Sequence, residues 1–118
     1  MELKERFIDS WRRRRWSAPR VSSVEYYRSV AELPKLIRRR TIAIVRSEGR
    51  YKWVAFECPC GYGHRVLLNL DPGRKPSWNL VRERPPTINP SIDVQEARRC
   101  HFWIKSGQIQ WVPDRRNG

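Results

Sequence analysis

Hydrophobic positions change period along this chain. Up to about Trp16, the residues Leu3, Phe7, Ile8 and Trp11 recur at helical spacing, with acids Glu2, Glu5 and Asp9 early and four arginines at 12–15 late. That order of charge suits the helix dipole, so the pattern predicts an amphipathic N-terminal helix. Ser17, Ala18 and Pro19 stop it, and the chain to Ser22 reads as linker. Such a helix packs its apolar stripe on the domain, or its arginines between Trp11 and Trp16 dock on an acidic partner or nucleic acid.

Beyond a short extended piece at 24–28 and a helical turn near 30–36, the period becomes that of strands. Residues 41–46 and 51–57 are rich in β-branched and aromatic side chains around a turn at 47–50, which predicts a hairpin. A third strand at 64–70 leaves a glycine-rich corner and ends in the turn Asp71, Pro72, Gly73, Arg74. A fourth covers 77–82 and runs into Pro85 and Pro86, residues 87–92 follow, and a closing hairpin pairs 100–105 with 108–112 across Ser106 and Gly107. Six or seven short strands without a long central helix predict a mainly β fold, a small antiparallel sheet or sandwich. The expected organisation is a basic helix and linker at 1–22, one β-rich domain at 23–112 and a polar tail at 113–118.

Composition sets the electrostatic frame. The 118 residues carry 25 Lys plus Arg against 12 Asp plus Glu, a net charge of +13, which favours polyanions, acidic proteins or anionic surfaces as partners. No apolar run approaches the roughly 20 residues of a membrane span, and the polar start lacks the apolar stretch of a secretory signal, so the expectation is a cytoplasmic protein without a membrane partner. Three cysteines, two of them one residue apart, fit a reduced compartment where Cys and His serve metal or chemistry.

The densest chemical signal runs from Cys58 through Cys60 to His64, on a corner whose glycines let the backbone fold sharply. Its Cys-x-Cys spacing departs from the usual zinc knuckle. Cys100 or His101 could close the site from the terminal hairpin, but neighbours in a strand point to opposite faces, so both should not reach one ion. One arrangement binds metal with Cys58, Cys60, His64 and Cys100 and leaves His101 free. In another His101 binds and Cys100 is a core thiol, and in a third the cysteines simply pack. Ser91, after Pro90 in an expected loop, could be a nucleophile with His101 as its base, although a His in an aromatic strand such as His101-Phe102-Trp103 also suits a packed core. Trp53, Trp78, Trp103 and Trp111 fall in expected strands and suit a core, or a stacking platform for single-stranded nucleic acid with Arg46, Arg50 and Lys52 along the phosphates.

Together the Cys58 to His64 corner, residues 67–70, Trp78, the Pro90-Ser91-Ile92 step and the stretch from Cys100 to Ile109 resemble the bacterial domain of unknown function family 6527. The resemblance spans roughly 41–112, and the chain departs from it at Tyr62, where that family often has a third corner cysteine. It implies a small metal-binding β protein from operons that hold ubiquitin-like proteins and their activating and conjugating enzymes. The implied activity is a peptidase on the ubiquitin-like modifier, with Ser91 as nucleophile, His101 as general base, and zinc on Cys58, Cys60 and either His64 or Cys100. A non-enzymatic zinc-stabilised adaptor in the same pathway, or a basic nucleic-acid-binding module, would share most of these features.

Overall fold

The structure, a computed structural model, describes residues 16–96 and 99–113. The expected N-terminal helix and all but the first residue of the polar tail lie outside the described residues. Within them the chain forms eight strands, namely β1 (Ser23–Tyr27), β2 (Thr41–Ser47), β3 (Arg50–Glu57), β4 (Arg65–Asn69), β5 (Asn79–Glu83), β6 (Pro86–Gln95), β7 (Arg99–Lys105) and β8 (Gln108–Trp111). The expected helical turn is a single 3-10 turn at Val30–Glu32.

These strands make two four-stranded sheets, ordered β1-β2-β3-β4 and β5-β6-β7-β8. All pairings are antiparallel except one: β1 runs parallel to β2. A parallel neighbour needs a long crossover, and residues 28–40 supply it. That connection covers the outer face of β2, where Ile37 packs with Ala43 and Ala55. The inner face of β2 turns Ile42 and Ile44 toward the other sheet. Covered on both sides, β2 is buried from Thr41 to Val45, which explains why its sequence is a continuous apolar run without alternation.

One apolar core joins the sheets, with Ile42, Ile44, Val54 and Phe56 from the first meeting Ile88, Ile92, Phe102 and Ile104 from the second. Phe102 sits edge-on between Phe56, with ring centroids 6.2 Å apart, and Trp111 at 5.4 Å. Of the four tryptophans expected to fill this core, Trp78 packs against its edge and Trp111 meets the Phe102 ring, whereas Trp53 and Trp103 lie outside it. Trp53, Trp78 and Trp103 are half-buried and Trp111 is 39% exposed, whereas Trp16, just before the linker, is buried. In β3 and β7 the inward positions belong to Phe56 and Phe102, so strand alternation turns Trp53 and Trp103 outward.

Alternation in β7 is what positions the chemistry. Cys100, Phe102 and Ile104 are buried, while His101 and Trp103 between them are half-buried. Opposite, Ile88 and Ile92 of β6 face Ile104 and Phe102, so three residues of β6 oppose the single residue Trp103. Asn89, Pro90 and Ser91 form that bulge. A proline cannot donate to the ladder, and a bulge is where a strand accommodates it.

Candidate functional site

Two constellations lie on either side of β7. On the inner side, the chain leaving β3 turns at Cys58 and enters β4 just after His64. The Cys58 amide donates to the His64 carbonyl at 2.9 Å and the Gly61 amide to the Cys58 carbonyl at 3.1 Å, closing the corner. Gly61 and Gly63 take φ of 82° and 85°, the left-handed region that a side chain disfavours, which is why both positions are glycine. The fold thereby brings Cys58 and Cys60 beside His64, and β7 delivers Cys100 from the other sheet. The four ligand atoms lie within 4.8 Å of one another, with the three cysteines buried and His64 half-buried. His101 is not in the group, as expected for the outward neighbour of Cys100.

The chemistry of this group suits a cation. The Cys58 thiol donates to Cys60, holding the Cys60 pKa down to about 5 and pushing Cys58 up. Cys60 also lies 3.4 Å from His64 Nε2 and accepts the Tyr62 amide at 3.4 Å. A thiolate held by an amide, an imidazole and two further thiols matches a closed four-ligand site in which the sulfurs are deprotonated. Tyr62 itself contributes its amide and leaves its side chain 48% exposed.

On the outer side, the Ser91 Oγ lies 2.8 Å from His101 Nε2. Ile92 faces the core, so Ser91 beside it, at the end of the bulge, lies on the face on which β7 presents His101. Trp78 fixes it there: its indole N–H donates to the Ser91 carbonyl at 3.3 Å, while its own amide donates to the Asn69 carbonyl at 2.8 Å. Directly across the ladder from His101 stands Asp93. Arg99 engages both oxygens of Asp93 at 3.0 and 2.9 Å and holds that carboxyl below its usual range, with a smaller contribution from the nearby His101.

The sequence reading named Ser91, His101, Cys58, Cys60, His64 and Cys100, and the fold gathers them into these two groups. It gave Trp78 only a core or stacking role and gave Asp93 none. For Asp93 a signal existed, since it stands two residues after Ser91 and so on the same face of a strand; for Trp78 none did, because its contact with Ser91 depends on how the bulge and the inter-sheet connection meet.

No helix among the described residues is long and apolar enough to cross a membrane. No curated protein and no solved structure matches the chain. A protein-family model does: that of the bacterial ubiquitination-like system serine proteases, BubE, over residues 29–112. The match takes in β2 to β8, and with them the corner, Cys100 and the Ser91–His101 pair. The chain therefore belongs to the BubE family of bacterial ubiquitination-like system serine proteases.

Proposed function

We propose that this chain is a peptidase that processes or removes a bacterial ubiquitin-like protein, with Ser91 as nucleophile and His101 as general base. The observation that carries this reading is the 2.8 Å approach of Ser91 Oγ to His101 Nε2 on an accessible sheet face, in a family named for serine proteolysis. With its proton on Nδ1, His101 accepts at Nε2 the hydroxyl proton of Ser91 as Oγ attacks the scissile carbonyl. The protonated imidazole then delivers that proton to the departing amine, leaving an ester on Ser91. Water, deprotonated by His101, attacks the ester and releases the carboxylate product. Asp93 stands across the ladder from His101 with Arg99 on both of its oxygens. Trp78 holds the Ser91 backbone so that the hydroxyl meets the imidazole.

Cys58, Cys60, His64 and Cys100 would hold zinc, whose contribution is a cross-link between the β3–β4 corner and β7. Cys100 precedes His101 directly, so fixing its sulfur fixes the strand that aims the imidazole. The ubiquitin-like protein and its activating and conjugating enzymes are the partners that this pathway supplies.

The test is cleavage of a fusion between the cognate ubiquitin-like protein and a reporter. Wild type should release the reporter, whereas Ser91→Ala and His101→Ala should not. Equal cleavage by the Ser91→Ala protein would remove the assignment, and tight binding of the modifier with no turnover by wild type would favour an adaptor.

A further inference from the structure

A cavity of about 670 Å³ among the described residues contains neither Ser91 nor His101. It opens between the 28–40 crossover and the outer side of the metal corner, with Cys58, Gly61 and Gly63 along one wall. Its charged lining consists of Lys35, Arg38, Arg39, Arg40 and Arg65 against one carboxylate, Glu57. That carboxylate is already engaged by Arg65 at 3.1 Å. The lining therefore carries positive charge well in excess of what its own acid neutralises.

Its walls are held in place. Arg65 Nη2 donates to the carbonyls of Pro34 and Lys35 at 2.7 and 2.8 Å, tying the crossover to β4. Arg40 adopts φ of 63°, a left-handed conformation that a non-glycine side chain disfavours. Its carbonyl accepts the Ser22 amide at 2.7 Å and its guanidinium donates to the Arg20 carbonyl at 3.1 Å. Those bonds strap the 17–22 segment along the rim.

We propose that this cleft is a docking site for an acidic peptide segment of a protein partner, separate from the catalytic pair. Arginine-rich walls suit the planar carboxylates of Asp and Glu. Beside them Leu36 is 48% exposed and offers an apolar contact for the same segment. Among the described residues no aromatic side chain lines the cleft, so they offer no stacking surface of the kind by which proteins hold single-stranded nucleic acid. A cleft of this volume takes a few side chains, and it shares the Cys58 corner with the strand that carries His101. The choice of a protein partner rests on the proposed function above; the anionic specificity does not.

Fluorescence anisotropy of a labelled glutamate-rich peptide, with the matched glutamine peptide beside it, tests the proposal on the full chain. The glutamate peptide should bind and the glutamine peptide should not. The double variant Lys35→Glu/Arg38→Glu should weaken binding about tenfold or more, while Arg50→Glu/Arg82→Glu, with the same change in net charge on exposed strand positions, should weaken it less than about twofold. Equal losses in the two doubles would show a general field and overturn the site, as would an unchanged affinity in the first. Stronger binding of oligothymidylate at the same cleft residues would replace the acidic peptide with nucleic acid, and displacement of the peptide by millimolar phosphate would reduce the site to one for a free anion. Cleft-dependent peptide binding alongside a wild type that cleaves nothing would leave this inference standing and remove the peptidase.

Discussion

Replacing Cys100 with alanine separates a metal ligand from a packed thiol, because the two roles predict different magnitudes. Cys100 is 3% exposed within the shared core. As a packed thiol alone it should lose, on truncation, about 1 kcal/mol, the order of one buried methylene-sized group. A structural zinc site contributes on the order of 10–16 kcal/mol to folding, about 3–4 kcal/mol for each of four ligands if shared evenly. As a ligand, Cys100 should therefore cost about 4–5 kcal/mol. At about 4 °C per kcal/mol, the melting temperature should fall by roughly 15–20 °C, against about 4 °C for lost packing alone. Thermal melts by circular dichroism with and without chelator, alongside metal content by mass spectrometry, make the measurement. Wild type should hold one metal per chain and lose stability in chelator, whereas the Cys100→Ala protein should start low and respond little. A metal-free wild type indifferent to chelator would refute the reasoning, and so would a variant that drops only about 4 °C and keeps the full response.

Three further outcomes follow from other parts of the structure. Ser91→Ala and His101→Ala should each lower modifier cleavage by about 10³-fold or more without moving the melting temperature by more than a few degrees, and the double variant should be no worse than either single, since the two groups act as a unit. Trp78→Phe keeps an aromatic body but deletes the donor to the Ser91 carbonyl. It should cost about 1 kcal/mol of stability and about tenfold in kcat with KM little changed, read by steady-state cleavage kinetics. At the edge where the sheets meet, Glu83 accepts from Tyr26 at 2.8 Å and from Tyr51, with Arg46 at 3.9 Å. Tyr51 foremost, then Tyr26, holds the Glu83 carboxyl below its ordinary 4.5. A folded pKa below the unfolded one gives stability that is complete above 4.5 and is lost as pH falls through the lower folded value. Melts between pH 7 and 3 should accordingly show a smaller acid-induced loss in Glu83→Gln than in wild type, and identical pH profiles would contradict the role.

Much of this protein was legible in the chain itself, because its strongest signals are local. The β-branched and aromatic runs at 41–46 and 51–57 become β2 and β3, the glycines at 61 and 63 permit the sharp corner, and the alternation of β7 separates Cys100 from His101 whatever the rest of the fold does. Period and backbone conformation are properties of a few consecutive residues, and there sequence suffices. Tertiary structure alone decided what lies next to what across long stretches of chain. The parallel β1–β2 pairing needs a crossover whose covering role no local pattern reports. Trp53 and Trp103 suited a core by size, yet strand alternation gave the inward places of β3 and β7 to Phe56 and Phe102. The bulge that ends at Ser91 comes from the β6–β7 register, and the meeting of Cys100 with Cys58, Cys60 and His64 comes from packing one sheet on the other. Only the crossover folding back against β4 made the basic run at 38–40 the wall of a cleft. Contacts between distant segments depend on which buried surface fits which, and that matching exists only once both sheets have formed.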